Sequence, residues 1–245
     1  MRKPALNAVA VLLLVFVVWQ GLHFALGEIA ISSPAQTVER LAVMMGTESF
    51  WLHARETMAA FAQALALALS GGLLIGLVLG GYRPAGTVFE PILVAIYSIP
   101  KVTLYPVILL IFGLGMSAKV AFGAIHGIVP VAIFTMNAVR SLNQTYLRAA
   151  RSMRLTPGQT ALRILVPATL PEIVTGFRVG FSLTLLGSLI GELFASQRGL
   201  GFVIMRAVNV YDVKTIFAVT LLIATIAVIV NSALLALDQR LHRRM

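Results

Sequence analysis

The sequence predicts an all-α membrane protein with six transmembrane helices. Of its 245 residues, 59% are apolar and only 11% are charged, whereas soluble proteins carry about 25% charged residues. A bilayer core needs about 20 helical residues to cross it, and the chain contains six apolar runs of about that length. This composition excludes a soluble enzyme, because too little polar surface is available to cover a globule in water.

The predicted spans form one membrane domain over residues 1–245, because no repeat, linker or low-complexity tract separates them. They lie near 5–26, 58–81, 87–113, 119–138, 172–196 and 214–237. The first run is long for the apolar part of a signal peptide and lacks a clear cleavage site, so we expect it to be a span.

Basic residues divide unevenly between the two ends of these spans. With both termini in the cytosol, eleven basic residues lie on the inner side and six on the outer side, Lys119 among the latter. Cytoplasmic loops are enriched in Lys and Arg. We therefore expect a multi-pass protein with cytosolic N and C termini, whose net charge of +10 reflects topology and not nucleic-acid binding.

The long outer connection, 27–57, is predicted to contain an amphipathic helix over 35–46. Ser33 and Pro34 are typical of a helix start, and apolar residues follow at helical spacing. We expect the apolar face to lie on the membrane or on neighbouring spans.

Glycines recur at four-residue spacing in two of the spans. They are Gly72, Gly76 and Gly80 in the second, and the pairs Gly176/Gly180 and Gly187/Gly191 in the fifth. Such strips let helix backbones approach closely. Two interpretations stay open: packing within one bundle or, for the fifth span, a subunit interface.

The third span carries three prolines, Pro91, Pro100 and Pro106. Each proline lacks a backbone donor, so the helix is expected to bend or break where protein or a water-filled cavity receives the freed carbonyls. A broken helix of this kind suggests the wall of a transport path.

Four of the ionisable residues within the predicted spans need an explanation: Lys101, His126, Arg178 and Glu192. Charges at membrane depth are costly and point to function. Lys101 fits either a structural ion pair or a position on the substrate path, and Glu192 either an outer gate or the membrane interface. Arg178 is expected to reach the cytosolic interface, and His126 to be a hydrogen-bonded packing residue.

The inner connection 141–170 is basic, with no acidic residue between Arg140 and Leu170. Tyr146–Leu155 is predicted to be a helix, Thr156–Gly158 a turn, and Gln159–Val166 a second helix. Binding to anionic lipid explains the charge of this segment but not the order of its residues.

That order resembles the cytoplasmic coupling motif of binding-protein-dependent ABC-transporter permeases, which reads Glu-Ala-Ala, three residues, Gly, nine residues, Ile, one residue, Leu-Pro. Here Arg148-Ala149-Ala150, Arg154 and Ile164-Leu165-Val166-Pro167 stand at these positions with every spacing kept.

Other segments resemble the nitrate/sulfonate/taurine branch of these permeases. They are Ser33-Pro34, Tyr97-Ser98-Ile99-Pro100-Lys101, Phe112-Gly113-Leu114-Gly115, Gly191-Glu192-Leu193-Phe194 and Gly199-Leu200-Gly201-Phe202. Together these similarities cover most of residues 30–240.

Two departures from the motif concern the coupling helix. Arg148 stands where the family has Glu, and Arg154 stands where it has Gly. The first reverses a charge at the expected docking surface, which favours an ATPase partner that has co-adapted, a weakened coupling or a degenerate permease.

The resemblance implies a type I ABC importer permease fold in the bacterial inner membrane, with six membrane helices and a short cytoplasmic coupling helix. Its implied partners are cytosolic ABC ATPase subunits, a second permease copy in a homodimer, a periplasmic or lipoprotein substrate-binding protein and membrane lipid. The coupling contacts fall on Arg148, Ala149, Ala150, Arg151, Arg154 and Leu155.

The chain itself is predicted to be neither an enzyme nor a metal protein. It has no phosphate-binding loop of the type G-x-x-x-x-G-K-[ST], no acidic cluster for magnesium and no cysteine. We expect no catalytic residue and no cofactor in this chain, with ATP and Mg bound by the partner ATPase.

The expected function is the translocation path of an ATP-driven importer for a small anion such as a sulfonate, taurine or nitrate. Lys101 and Glu192 are the predicted path residues. Two alternatives stay open: a vitamin-precursor-type solute, and a secondary transporter driven by an ion gradient, which would use intramembrane carboxylates.

Overall fold

The computed structural model describes residues 3–242, with side chains at all of these except 3–9, 83, 144, 147, 151, 157, 161, 195 and 242. This part of the chain is helical and contains no strand. The helices are α1 (Lys3–Leu26), α2 (Pro34–Met45), α3 (Glu48–Gly81), α4 (Arg83–Ser98), α5 (Tyr105–Phe112), α6 (Met116–Arg140), α7 (Gln144–Ser152), α8 (Pro157–Thr160), α9 (Val166–Ala195), α10 (Leu200–Asn209) and α11 (Val213–His242). A 3₁₀ turn, Lys101–Leu104, precedes α5, and a π turn, Ala161–Leu165, precedes α9.

Four helices of the described chain are long and apolar enough to cross a membrane: α3, α6, α9 with its entry turns, and α11. The segments Pro84–Ser98 and Lys101–Phe112 make a fifth span if they count as one, bent by 86°. The apolar stretch of α1 is shorter, Ala10–Leu26. The predicted all-α membrane fold is confirmed, as is the break in the third span, while the number of six spans stays a prediction.

Helix α6 is the centre of the bundle and packs between α3 and α9. Its membrane window is 61% buried, more than that of the other long spans. The glycine strip of α3 permits the contact, since a Cβ added at Gly72 would lie 2.6 Å from Val131 Cβ and one at Gly76 would lie 2.5 Å from Thr135 Cβ. Because the hydrophobic effect does not drive helices together within lipid, dense packing between closely spaced backbones stabilises their association.

The glycines of α9 face α6 as well. A Cβ at Gly180 would lie 2.4 Å from Val131 Cγ2, and one at Gly187 would lie 2.8 Å from His126 Cγ. His126 Nδ1 donates to the Phe122 carbonyl at 2.8 Å, as expected for a packing residue. Packing within one bundle is therefore confirmed for these glycines, and the alternative of a subunit interface is wrong for this face, because α6 of the same chain occupies it.

Helix α4 is tied to the C-terminal end of α6. Arg140 Nη1 lies 2.5 Å from Glu90 Oε2, and Arg140 Nη2 donates to Thr87 Oγ1 at 3.0 Å. This clamp fixes the first half of the broken span against the bundle, so the bend that follows has a defined position.

The outer helix begins as predicted. Ser33 caps α2, accepting from the Gln36 N–H at 3.2 Å and donating its own N–H to the Gln36 side chain, and Pro34 is the first helical residue. Its observed range, Pro34–Met45, agrees with the predicted 35–46 within one residue.

Helices α3 and α10 differ from the sequence prediction. Helix α3 begins at Glu48, where Thr47 accepts from the Phe50 N–H, well before the predicted start at 58. Hydropathy marks where a helix enters the membrane, not where the helix begins, and residues 48–57 contain several charged side chains. Helix α10 was not predicted, although Leu200, Val203 and Ala207 follow helical spacing.

Candidate transport path and coupling segment

The broken span places Lys101 at its bend, directly after Pro100. Lys101 Nζ donates to the Tyr97 carbonyl at 3.0 Å and lies 5.0 Å from the centroid of the Tyr97 ring. No carboxylate of the described residues lies within 4 Å of this ammonium group. The ion-pair interpretation of Lys101 thus finds no partner there, and its place on the path stays a prediction.

A cavity of about 380 Å³ opens beside Tyr97, between α4, α9 and α11. It is lined by Tyr97, Arg178, Val179, Ser182, Leu183 and Asn231. Four of these six side chains are polar or charged, although all six belong to helices of the membrane bundle. Such a set at membrane depth is typical of a surface that meets water or solute and not lipid.

Arg178 turns toward this cavity and is only loosely paired. Its guanidinium lies 3.9 Å from Asp238 Oδ2 on α11 and is 26% exposed, whereas Asp238 is 10% exposed and accepts from Thr175 Oγ1 at 2.9 Å. A separation of 3.9 Å is an ion pair but not a hydrogen bond. Arg178 therefore lines the cavity, in addition to the structural role expected from its position near the inner interface.

A second group of charges lies at the end of the bundle that is predicted to face outward, and two of its members, Lys119 and Glu192, are buried. Lys119, near the start of α6, is 1% exposed. Its Nζ donates to the Arg198 carbonyl at 2.7 Å and to Glu56 Oε1 at 3.1 Å, and it lies 3.9 Å from Glu192 Oε1. One ammonium group thus ties α6 to α3, to α9 and to the loop that leads to α10.

Glu192 has no exposed surface. Its Oε2 accepts from Thr57 Oγ1 at 2.8 Å and from the Gly201 N–H at 3.0 Å, and Thr57 Oγ1 in turn accepts from the Leu200 N–H at 2.7 Å. The carboxylate therefore binds the first turn of α10, where unpaired backbone N–H groups favour a negative charge. Its predicted part in the substrate path is untested, and in this conformation it makes only internal contacts.

Two glycines let the loop close over this carboxylate. Gly199 has φ of +123°, and a Cβ there would lie 2.2 Å from Glu192 Cδ, while a Cβ at Gly201 would lie 2.6 Å from Glu192 Cβ. Only a residue without a side chain fits the first position, both for its backbone conformation and for the space available. The run Gly199-Leu200-Gly201 is thereby explained as the lid over Glu192.

We call Glu56, Thr57, Lys119 and Glu192 the outer cluster. The sequence prediction found only Glu192 as a functional candidate. The sequence pattern assigns Lys119 to the outer basic residues, because it stands at the edge of an apolar run, and assigns Glu56 and Thr57 to the outer connection 27–57. The sequence did contain a signal for this cluster. Glu56, Lys119 and Glu192 each stand near the end of a predicted span, and all three ends are predicted to lie on the outer side.

A charged contact also fixes the outer helix α2 to the start of α11. Arg40 Nη2 lies 3.1 Å from Asp212 Oδ2, and Arg40 Nε donates to Thr215 Oγ1 at 2.8 Å. Partial burial by itself would raise the pKa of Asp212, but hydrogen bonds from Thr215 and the charge of Arg40 outweigh burial and lower the pKa below its ordinary value.

The coupling segment folds as a short helix, α7, which is followed by a residue in the left-handed backbone conformation. The Leu155 N–H donates to the Ala150 carbonyl at 3.0 Å, and Arg154 has φ of +51°. This is the helix ending in which a residue with left-handed backbone follows the helix, a position that favours glycine. Arg154 therefore keeps the backbone conformation expected of the motif's Gly, and α7 ends before the predicted boundary at Leu155.

The other coupling candidates lie on or next to α7. Arg148, Ala149 and Arg154 are exposed, Ala150 is buried at 2% exposure, and Leu155 is half-buried. The side chain of Arg151 lies outside the described residues. The segment continues through α8 and the π turn into α9, forming one helical path from Gly158 to Phe194.

Comparison with known proteins identifies the family. Residues 72–245 match the family described as the binding-protein-dependent transport system inner membrane component. The chain belongs to this family. It is therefore a multi-pass inner membrane subunit of an ABC importer, a transport component and not an enzyme, and permeases of this kind work with an ATPase and a substrate-binding protein.

Several curated permeases resemble the chain over most of its length. The taurine transport permease of Escherichia coli is 29% identical over 85% of this chain and 78% of its own. The formylaminopyrimidine transport permease of Halalkalibacterium halodurans is 28% identical over 96% and 94%, respectively. The riboflavin transport permease of Chloroflexus aurantiacus is 31% identical over 95% and 88%.

The fold agrees with a solved importer. An inward-facing structure of the MetNI methionine ABC transporter matches with a TM-score of 0.65 and 20% identity, over 78% of this chain and 96% of the other. This similarity confirms the predicted importer permease fold, and at this identity it concerns the fold alone.

Proposed function

We propose that this permease carries a small solute with an anionic oxyanion group, such as an alkanesulfonate, taurine or nitrate, from a substrate-binding protein into the cytosol. The observation that carries the proposal is Lys101, a cation at the bend of the broken span with no carboxylate of the described residues within 4 Å. Relatives named for taurine and for aliphatic sulfonates support an anion as the solute.

The proposed assembly is a homodimer of this chain, with cytosolic N and C termini and two ATPase subunits seated on the coupling helices. ATP and Mg would be bound by the ATPase subunits, and this chain would hold no cofactor. The distribution of basic residues supports the orientation, and the exposed Arg148 and Arg154 support α7 as the docking surface.

The proposed mechanism is alternating access by rigid-body movement. Closure of the ATPase subunits would displace α7, and α8 with the π turn would pass the displacement to α9. Because α9 packs against α6 along its glycines, movement of α9 would carry the central pair as a unit. Both Arg178 and Glu192 lie on α9, so the same helix connects the coupling segment with the cavity and with the outer cluster.

Uptake by cells tests the choice of solute. A strain lacking its own taurine and sulfonate uptake would express this permease together with a candidate ATPase and binding protein from the genome that encodes it. We expect ATP-dependent uptake of labelled taurine, ethanesulfonate or nitrate. Uptake of riboflavin or a pyrimidine without any of the anions would contradict the proposal, and would favour the vitamin-type solutes named for two relatives.

Co-purification with the ATPase tests the coupling residues. We expect wild-type permease and the Arg154→Gly variant both to bind the ATPase, because glycine adopts the observed φ of +51° without strain. Arg148→Glu reverses an exposed charge at the proposed interface and is expected to weaken binding. An ATPase that binds only the double variant Arg148→Glu/Arg154→Gly would show instead that this chain has lost the partner that was assayed.

A further inference from the structure

Among the described residues that line the cavity between α4, α9 and α11, Arg178 alone carries a charge. Asp238, the carboxylate paired with Arg178, does not line the cavity. Lys101 does not line it either, although it lies against the lining residue Tyr97. The guanidinium of Arg178 is therefore the charge that the cavity presents, and a single charge acts strongly where water is scarce.

The side-chain N–H groups of Arg178 make no hydrogen bond within the described part of the chain. A guanidinium carries five N–H donors in a planar fork that matches an oxyanion. The contact recorded for this guanidinium within the described chain is the ion pair with Asp238 at 3.9 Å, longer than a hydrogen bond. Asp238 is held on its other side by Thr175. The fork of Arg178 is therefore positioned without being saturated.

A neutral donor stands next to this fork. Asn231 faces Arg178 from α11, whereas Ser182, one helical turn beyond Arg178 on α9, donates its hydroxyl to the Arg178 carbonyl at 3.3 Å. The Asn231 amide complements the guanidinium in holding the remaining oxygens of an oxyanion. The cavity volume of about 380 Å³ lies within the usual range for small ligands, roughly 300–1,000 Å³.

We infer that this cavity is an intramembrane binding site for the oxyanion group of the transported solute, with Arg178 as the residue that receives it. This inference rests on the proposed function and specifies its site. Asp238 holds Arg178 while the site is empty, and the solute's oxyanion takes the vacant donors when it arrives. A loose pair suits a transport path, because a solute must be able to leave the site as well as enter it.

Transport by Arg178 variants tests the inference. The complete transporter in proteoliposomes, with binding protein and ATP, would be assayed with labelled taurine as the probe, and with nitrate and riboflavin in parallel. We expect Arg178→Gln to lower anion uptake about tenfold to a hundredfold, the effect of losing one charge-assisted hydrogen bond or more. Arg178→Lys should recover part of it, because the charge returns without the fork. Arg206→Gln, an exposed arginine on α10, is the matched control.

A double variant of Arg178 and Asp238 distinguishes a role of Arg178 in solute binding from a purely structural role. If Arg178 serves only to balance Asp238, the double variant Arg178→Gln/Asp238→Asn removes both charges and restores uptake. If Arg178 receives the anion, the double variant stays as defective as Arg178→Gln. Normal amounts of assembled transporter in the membrane would be checked for each variant by size-exclusion chromatography.

Two outcomes would overturn the inference in distinguishable ways. Normal anion uptake by Arg178→Gln, or recovery in the double variant, would refute the site while leaving the proposed function intact. A wild-type transporter that moves riboflavin and none of the anions would refute the proposed function and the site together.

Discussion

Lys119 and Arg178 are both cations inside the bundle, and their surroundings are opposite. Lys119 is 1% exposed and touches two partners within 3.1 Å, whereas Arg178 is 26% exposed and meets its carboxylate at 3.9 Å. The first joins three helices and a loop. The second stands at the edge of a cavity with donors unsaturated.

This difference separates two uses of charge in a membrane. A charge that is desolvated at both partners must be fully paired, so its removal leaves an uncompensated ion and destabilises the fold. A charge that borders a cavity keeps part of its hydration and can exchange one partner for another. Burial and partner distance, and not the mere presence of a charged residue at membrane depth, thus distinguish a structural group from a transport group.

The largest expected effect is that of removing the ammonium group of Lys119. Lys119→Met should lower the free energy of unfolding by about 3–5 kcal/mol, because Glu192 stays buried without its counter-charge. Thermal unfolding in detergent, followed by circular dichroism, would measure it. Lys214→Met, at an exposed position of the same outer side, should change stability by less than about 0.5 kcal/mol.

A second substitution would then identify which carboxylate needs Lys119. Adding Glu192→Gln to Lys119→Met should recover more stability than adding Glu56→Gln, because Glu56 keeps 25% of its side chain exposed and can be hydrated. Equal recovery by the two variants would mean that Glu192 is as accessible to water as Glu56. Lys119 would then not differ from Arg178 in the burial of its carboxylate partner.

Substitution in the Gly199–Gly201 loop that covers Glu192 should destabilise the protein nearly as much as Lys119→Met. Gly199→Ala is expected to cost about 2–4 kcal/mol, since a Cβ would lie 2.2 Å from Glu192 Cδ at a backbone φ of +123°. The same unfolding assay applies. Gly21→Ala in α1, where a Cβ meets nothing within 4 Å, should change stability by less than about 1 kcal/mol. Matching effects at the two glycines would argue against a tight lid.

Arg178→Gln should have a much smaller effect on stability than Lys119→Met. We expect a loss of about 1–2 kcal/mol, because Arg178 is partly exposed and its pair with Asp238 is long, while the largely buried Asp238 keeps the hydrogen bond from Thr175. Parallel melts of the two variants would test the ordering. A loss as large as that of Lys119→Met would show that both cations are structural and would remove the distinction drawn between them.

The smallest effect concerns Asp212, whose contact with Arg40 is partly exposed. A lowered folded-state pKa means that the contact stabilises the fold fully above the ordinary carboxyl pKa and is lost as pH falls through the folded-state pKa. Its contribution should be no more than about 1 kcal/mol, because both side chains are more than a third exposed.

Comparing the stability of wild type and Asp212→Asn between pH 7 and pH 3 would isolate this contribution. The two curves should converge toward the acidic end, since protonated Asp212 resembles the amide. A difference that persists unchanged at pH 3 would mean that the contact does not depend on the Asp212 charge, and that surface and buried pairs in this protein differ less than proposed.

Local signals in the sequence identified several elements correctly. Ser33 and Pro34 marked the start of α2, the prolines around Lys101 marked the broken span, and the glycine spacing marked close helix packing. Each of these rests on the chemistry of one residue or on a short period. The ends of α7 and α10 could not be found this way, because Arg154 and Tyr211 adopt positive φ without being glycine.

By itself, the sequence determined the class of the protein, the approximate positions of its long helices and its coupling motif, because hydropathy, helical spacing and motif order are properties of the chain. Only the tertiary structure decided what each charge does. Lys119, Glu56 and Glu192 are far apart in sequence, and their contact depends on how α3, α6 and α9 pack. The looseness of the Arg178 pair likewise depends on a distance between two helices, which no single segment specifies.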